Sequence, residues 1–151
     1  MLASVRPNDI DLALFVHIAG AMALVGGLVT AAVAGIVGWR GDAVRLGRFS
    51  VMTLLAVALP GWIIMRVGAE WTYNKENLDS LTSDPTWLGI GFSVADGGGV
   101  LLLLALVLGG IGMRQSRRGK GERLLKASGA IAALLVVAYA VAVWAMGAKP
   151  S

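Results

Sequence analysis

Apolar residues run almost unbroken through four stretches of the chain, from about 10 to 39, 43 to 71, 87 to 113 and 124 to 147, and charged residues crowd between them. Each stretch exceeds the ~20 residues that a helix needs to cross a hydrocarbon layer of ~30 Å. None alternates with a period of two, and all are rich in Ala, Leu and Gly, so strands are excluded. The pattern predicts an all-α fold, a transmembrane four-helix bundle forming a single membrane domain over residues 1–151. No linker, low-complexity region or internal repeat divides it. The first stretch shares features with a secretory signal: Arg6 precedes it and Ala32-Val33-Ala34 lies within it. Its apolar run is far longer than the ~7–15 residues of a signal core, and Asp9 and Asp11 flank it, so it is read as a retained helix.

The connections predict an orientation. The turn Arg40-Gly41-Asp42-Ala43-Val44-Arg45 and the loop from Arg114 to Lys126 are basic, whereas residues 72–86 carry Glu76, Asp79 and Asp84. One side of the bundle bears Arg40, Arg45, Arg48, Arg114, Arg117, Arg118, Lys120, Arg123 and Lys126; the other bears only Arg6, Lys75 and Lys149. The excess of Lys and Arg marks the cytoplasmic side. Loops 40–48 and 114–126 are then cytoplasmic, both termini and loop 72–86 are extracytoplasmic, and the expected location is a bacterial plasma (inner) membrane. Trp71, Tyr73, Trp87 and Trp144 form an interfacial belt on the outer side, and Trp39 one on the inner side.

Composition agrees: 57% of residues are hydrophobic and 15% charged, against about 25% charged in soluble domains. The net charge of +4 is therefore topology, not a phosphate-binding surface, and the expected partner is the lipid bilayer, not nucleic acid. With no cysteine, disulfides, iron–sulfur clusters and thiolate metal sites are excluded.

Against this background the polar residues inside the stretches stand out. Val94-Ala95-Asp96-Gly97-Gly98-Gly99 sets a carboxylate and three glycines before a strongly apolar run. Read as a continuous helix from Trp87, the third span places Asp96 about 13 Å below its outer end. Gly91, Ala95 and Gly99 then form a small-residue ridge suited to close helix approach. The alternative makes Asp96 an N-cap. His17 lies about 10 Å below the outer end of the first span. Arg66 and Glu70, spaced i,i+4, occupy the outer half of the second and can pair; Tyr139 occupies the outer half of the fourth. On the second span Ala58, Trp62, Arg66 and Glu70 share a face, and Pro60 predicts a mid-span kink. On the first, Ala13, Gly20, Gly27 and Ala34 make a small-residue stripe beside His17.

Ionisable groups inside a membrane are candidates for function. The predicted ligand-binding or buried polar cluster is His17, Arg66, Glu70, Asp96, Tyr139 and Trp62. The structural alternatives are interfacial snorkelling of Arg66 and Glu70 and a register-fixing Arg66–Asp96 bridge. Haem is conceivable on His17 with Met65 or Met22, or on two copies of His17 in a homo-oligomer. Copper(I) suits His17 with Met22, Met65 or Met146. A proton path is poorly served, because the inner half offers only hydroxyls such as Thr30, Thr53 and Ser128. No nucleophile–base pair, phosphate loop or paired-carboxylate motif points to an enzyme. Three readings stand: a non-enzymatic protein binding a ligand or partner through the cluster, a haem or copper protein using His17, and a structural accessory subunit of a larger membrane complex.

His17-Ile18-Ala19-Gly20 followed by Val25-Gly26-Gly27 resembles the first-helix pattern of CopD-like small integral membrane proteins. The segment Pro60-Gly61-Trp62-Ile63-Ile64-Met65-Arg66-Val67-Gly68-Ala69-Glu70-Trp71, with Gly91-Phe92 and Val94-Ala95-Asp96, is similar to actinobacterial four-helix members of no assigned function. The resemblance covers the first three spans. It implies copper handling, and only His17 carries motif support for that. The further histidines and helices of a CopD-type transporter are missing from this sequence.

Overall fold

The computed structural model describes residues 8–75 and 86–148. Arg6, Lys149 and the acidic-loop residues Glu76, Asp79 and Asp84 lie outside the described residues, as do the side chains of Asp9, Asp11 and Trp87. Five helices follow in order: α1 (Asn8–Gly38), α2 (Ala43–Thr53), α3 (Leu59–Lys75), α4 (Thr86–Ser116) and α5 (Glu122–Ala148). A single wide π-helical turn, Leu54–Ala58, joins α2 to α3 without a break. Among the described residues, four helical segments are long and apolar enough to cross a membrane, Leu12–Gly38, Ala43–Lys75, Gly89–Ser116 and Glu122–Ala148. This is the architecture of a multi-pass membrane protein. Outward-facing Phe15, Met22, Val100 and Val137 leave the bundle surface apolar all round, as helices solvated by lipid require.

Local chemistry sets the helix ends. Asp42 caps α2, its side chain accepting the Arg45 amide at 3.0 Å, which satisfies a donor the helix cannot. Between α4 and α5, Gly119 and Gly121 adopt φ of +70° and +99°, a backbone region open mainly to glycine. The two turns adjoin: Gly47 of α2 packs against Leu125 of α5. The opposite end holds the beginnings of α1 and α4 and the ends of α3 and α5.

The core is aliphatic, built on Leu24, Leu28, Leu54, Leu102 and Leu135. Two hydroxyls cross between helices in the half nearer the basic turns: Ser50 donates to the Ala31 carbonyl at 2.7 Å and Ser128 to that of Ala105 at 2.8 Å. Helix α1 packs extensively on α3 and α5, and α4 on α5, whereas α3 and α4 barely meet. Glycine decides these distances. A Cβ on Gly20 would collide with the Met65 backbone, on Gly61 with Leu24, and on Gly68 with His17. At the α1–α5 crossing Gly35 sits on Gly129. The stripe Ala13, Gly20, Gly27 and Ala34 is buried as its spacing implies.

The α4 ridge behaves differently. Gly91 is covered by the Met146 side chain and Gly99 by the Trp62 ring, so neither brings a helix backbone close. The space they leave is filled by large side chains from neighbouring helices. Gly98 likewise receives the Tyr139 side chain, Gly109 meets Val51 of α2 and Ser128 of α5, and Gly112 meets Leu125.

Candidate functional site

Asp96 lies within the unbroken helix α4, so it is not an N-cap. The seam it faces is the loosest in the bundle, and side chains bridge it in three steps. Trp62 lays its ring on Gly99 and donates its indole N–H to the Ala95 carbonyl at 2.9 Å. One turn along α3, Arg66 donates Nε to Asp96 Oδ1 at 3.0 Å and Nη1 to Glu70 Oε1. Its guanidinium lies 5.1 Å from the centre of the Phe92 ring, a cation–π distance. Phe92 in turn meets Tyr73 edge-on, with 5.7 Å between ring centres.

Burial grades across this group. The Arg66 side chain is 25% exposed, that of Glu70 49% and that of Asp96 61%. The expected buried cluster is therefore not buried at its carboxylates. With α3 and α4 held apart, Arg66 spans the gap and the two acids remain on the outer surface of the seam. One guanidinium faces two carboxylates, so the group carries a formal charge of −1 when all three are ionised. Each carboxylate keeps lone pairs that Arg66 does not use.

The other sequence-predicted residues stand elsewhere. His17 belongs to the α1–α3 seam, on a different face of α3, where Nδ1 lies 3.0 Å from the Met65 carbonyl. A carbonyl only accepts, so Nδ1 is the donor. Met65 is buried in the core; its backbone, not its sulfur, is what holds His17. Met22 points outward, and Met146 covers Gly91. Among the described residues, no three His, Asp or Glu side chains converge to hold a metal ion. Tyr139 of α5 is buried with its hydroxyl against Gly98, and that hydroxyl has no hydrogen-bond partner among the described residues.

The structure thus gathers Trp62, Arg66, Glu70 and Asp96, buries Tyr139 in the core cluster against which Trp62 packs, and leaves His17 apart. Phe92 and Tyr73 are the members that the sequence did not assign to the cluster; it placed Tyr73 only in the interfacial belt. Phe92 lies four residues before Asp96 and so shares its helix face, which is the signal that could have found it. No protein-family model, curated protein or solved structure matches this chain.

Proposed function

We propose that this chain is a multi-pass protein of a bacterial plasma membrane, with both termini outside the cytoplasm, and that the α3–α4 seam is its binding site for a small polar ligand or a membrane partner. One observation carries the reading: the Arg66–Asp96–Glu70 group opens outward on a flank that is otherwise apolar. In lipid such groups are costly and are retained for a purpose. A purely register-fixing bridge has no need of two carboxylates for one guanidinium, with the larger part of Asp96 turned away from the protein. The expected activity is recognition, not catalysis, because the seam holds no nucleophile beside a base.

The test is intact-mass spectrometry of the protein released from native membranes in mild detergent, beside Arg66→Gln and Asp96→Asn. A small-molecule or subunit adduct on the wild type that both variants lose, at unchanged melting temperature, supports binding at the seam. Bare protein in all three samples would sink it and leave the group as a bridge between α3 and α4.

A second reading follows from His17. A ligating histidine typically donates its other ring N–H to a carbonyl or carboxylate, and His17 does this to Met65 while Nε2 has no partner among the described residues. On that ground, and on the CopD-like pattern around His17, haem or copper binding is the alternative. A haem band or stoichiometric copper that His17→Ala abolishes would establish it; a colourless, metal-free wild type would end it.

A further inference from the structure

We infer that the bundle carries a second binding place at its other end, a seat for one anionic glycerophospholipid between α1 and α2. An open groove of about 440 Å³ runs along α1 past Val29, Val33 and Val37 and is closed on the far side by Leu46 and Phe49 of α2. Its walls are apolar. The one hydroxyl there, on Thr30, donates back to the Gly26 carbonyl at 2.8 Å and offers no free donor to a ligand. From Val29 to Val37 the groove covers about 12 Å of helix, a length and lining suited to an acyl chain and not to a polar molecule.

The groove ends at the turn that carries charge. Arg40 follows Val37 by one turn, its amide donating to the Val37 carbonyl at 3.1 Å. Arg45 directly precedes Leu46 and lies i,i+4 from Phe49, on one face with it. Both arginines are exposed, and neither has an ion-pair partner among the described residues. Asp42, the acid between them, is exposed with one carboxylate oxygen engaged by the Arg45 amide. Trp39, half-exposed in the same turn, supplies the ring that typically marks the headgroup level. An acyl slot that leads to two unpaired guanidinium groups matches a phosphodiester headgroup, which arginine binds through paired N–H donors.

The charge here differs in kind from that of the neighbouring loop. Arg117, Arg118 and Lys120 are equally basic but do not line this groove. They would attract an anionic surface as a whole, whereas Arg40 and Arg45 would hold one lipid.

The full chain is reconstituted in phosphatidylcholine vesicles containing either brominated phosphatidylglycerol or brominated phosphatidylcholine. The Trp39 signal is the difference in fluorescence from a Trp39→Phe sample. Phosphatidylglycerol is expected to quench Trp39 preferentially. Arg40→Gln with Arg45→Gln should cut that preference at least tenfold, at roughly fivefold per arginine, while Arg117→Gln with Arg118→Gln leaves it within about twofold. Val33→Phe, which fills the groove, should also lower it. Equal quenching by both lipids, equal loss from either arginine pair, or indifference to Val33→Phe would each overturn the assignment.

Discussion

Helix α3 is held on its two flanks in opposite ways. Toward α1 it presents Gly61, Met65 and Gly68, and backbone meets backbone with no room for a Cβ. Toward α4 it presents Trp62 and Arg66, and the gap is closed only by their reach to Ala95 and Asp96. Lipid tails are as apolar as leucine, so helices in a bilayer gain from close backbone packing and from hydrogen bonds rather than from burial itself. The α1–α3 flank uses the first means and the α3–α4 flank the second. A glycine seam has one geometry and nothing to offer a third molecule. A side-chain seam has polar atoms that can change partner, which is why the candidate site lies there.

Breaking the comparison on its rigid side gives the largest effect. Gly20→Leu or Gly61→Leu drives a side chain into a facing backbone, and an overpacking cost of about 3 kcal/mol is expected, read as loss of a monodisperse, cooperatively melting species in detergent. A Cβ on Gly26 meets nothing within contact distance, and Gly26→Leu should melt no lower than the wild type. The side-chain flank should be softer. Arg66→Gln, coupled with Asp96→Asn in a double-mutant cycle, should return an interaction of about 1 kcal/mol, because both partners are partly exposed. Coupling near zero would mean that the seam is not bridged in the membrane. Trp62→Phe removes one donor to the Ala95 carbonyl and should cost about 1 kcal/mol, measured as a lower melting temperature. Tyr139→Phe removes an unpartnered hydroxyl and should change stability by less than about 0.5 kcal/mol, or raise it. A larger loss would mean that the hydroxyl has a partner, such as a bound ligand or water.

The two flanks also differed in how far the sequence reveals them. The stripe Ala13, Gly20, Gly27 and Ala34 repeats every seven residues, so one helix suffices to expose it, and the structure buries all four. The helix ends follow hydropathy and fall within a few residues of their expected positions. The ridge Gly91, Ala95 and Gly99 has equally good spacing, yet its glycines receive Trp62 and Met146 side chains. Spacing reports that room exists and not what fills it. The pairing of Arg66 with Asp96 needs the relative rotation and depth of two helices, which no single stretch encodes. That His17 sits on another seam from Asp96 depends on the same missing quantity. Pro60 announced a disturbance in the second span, but not that it would take the form of a π turn just before it.

That turn has a consequence of phase. The Leu59 amide bonds to the Leu54 carbonyl, five residues back, so the span holds one residue more than an α-helical ladder would. One residue is about 100° of azimuth. The wide turn also eases the clash between the Pro60 ring and the carbonyl four residues earlier. The second span is therefore two half-helices set out of step. Both halves pack mainly on α1, but the lower also packs on α5 and α4, whereas the upper adds only its thin seam with α4. Deleting a single residue from 54–58 would leave hydropathy, length and loop charge almost unchanged, yet swing Arg66 a quarter-turn away from Asp96. The azimuth of the candidate site is set ten residues away from it, by a timing error written into the helix.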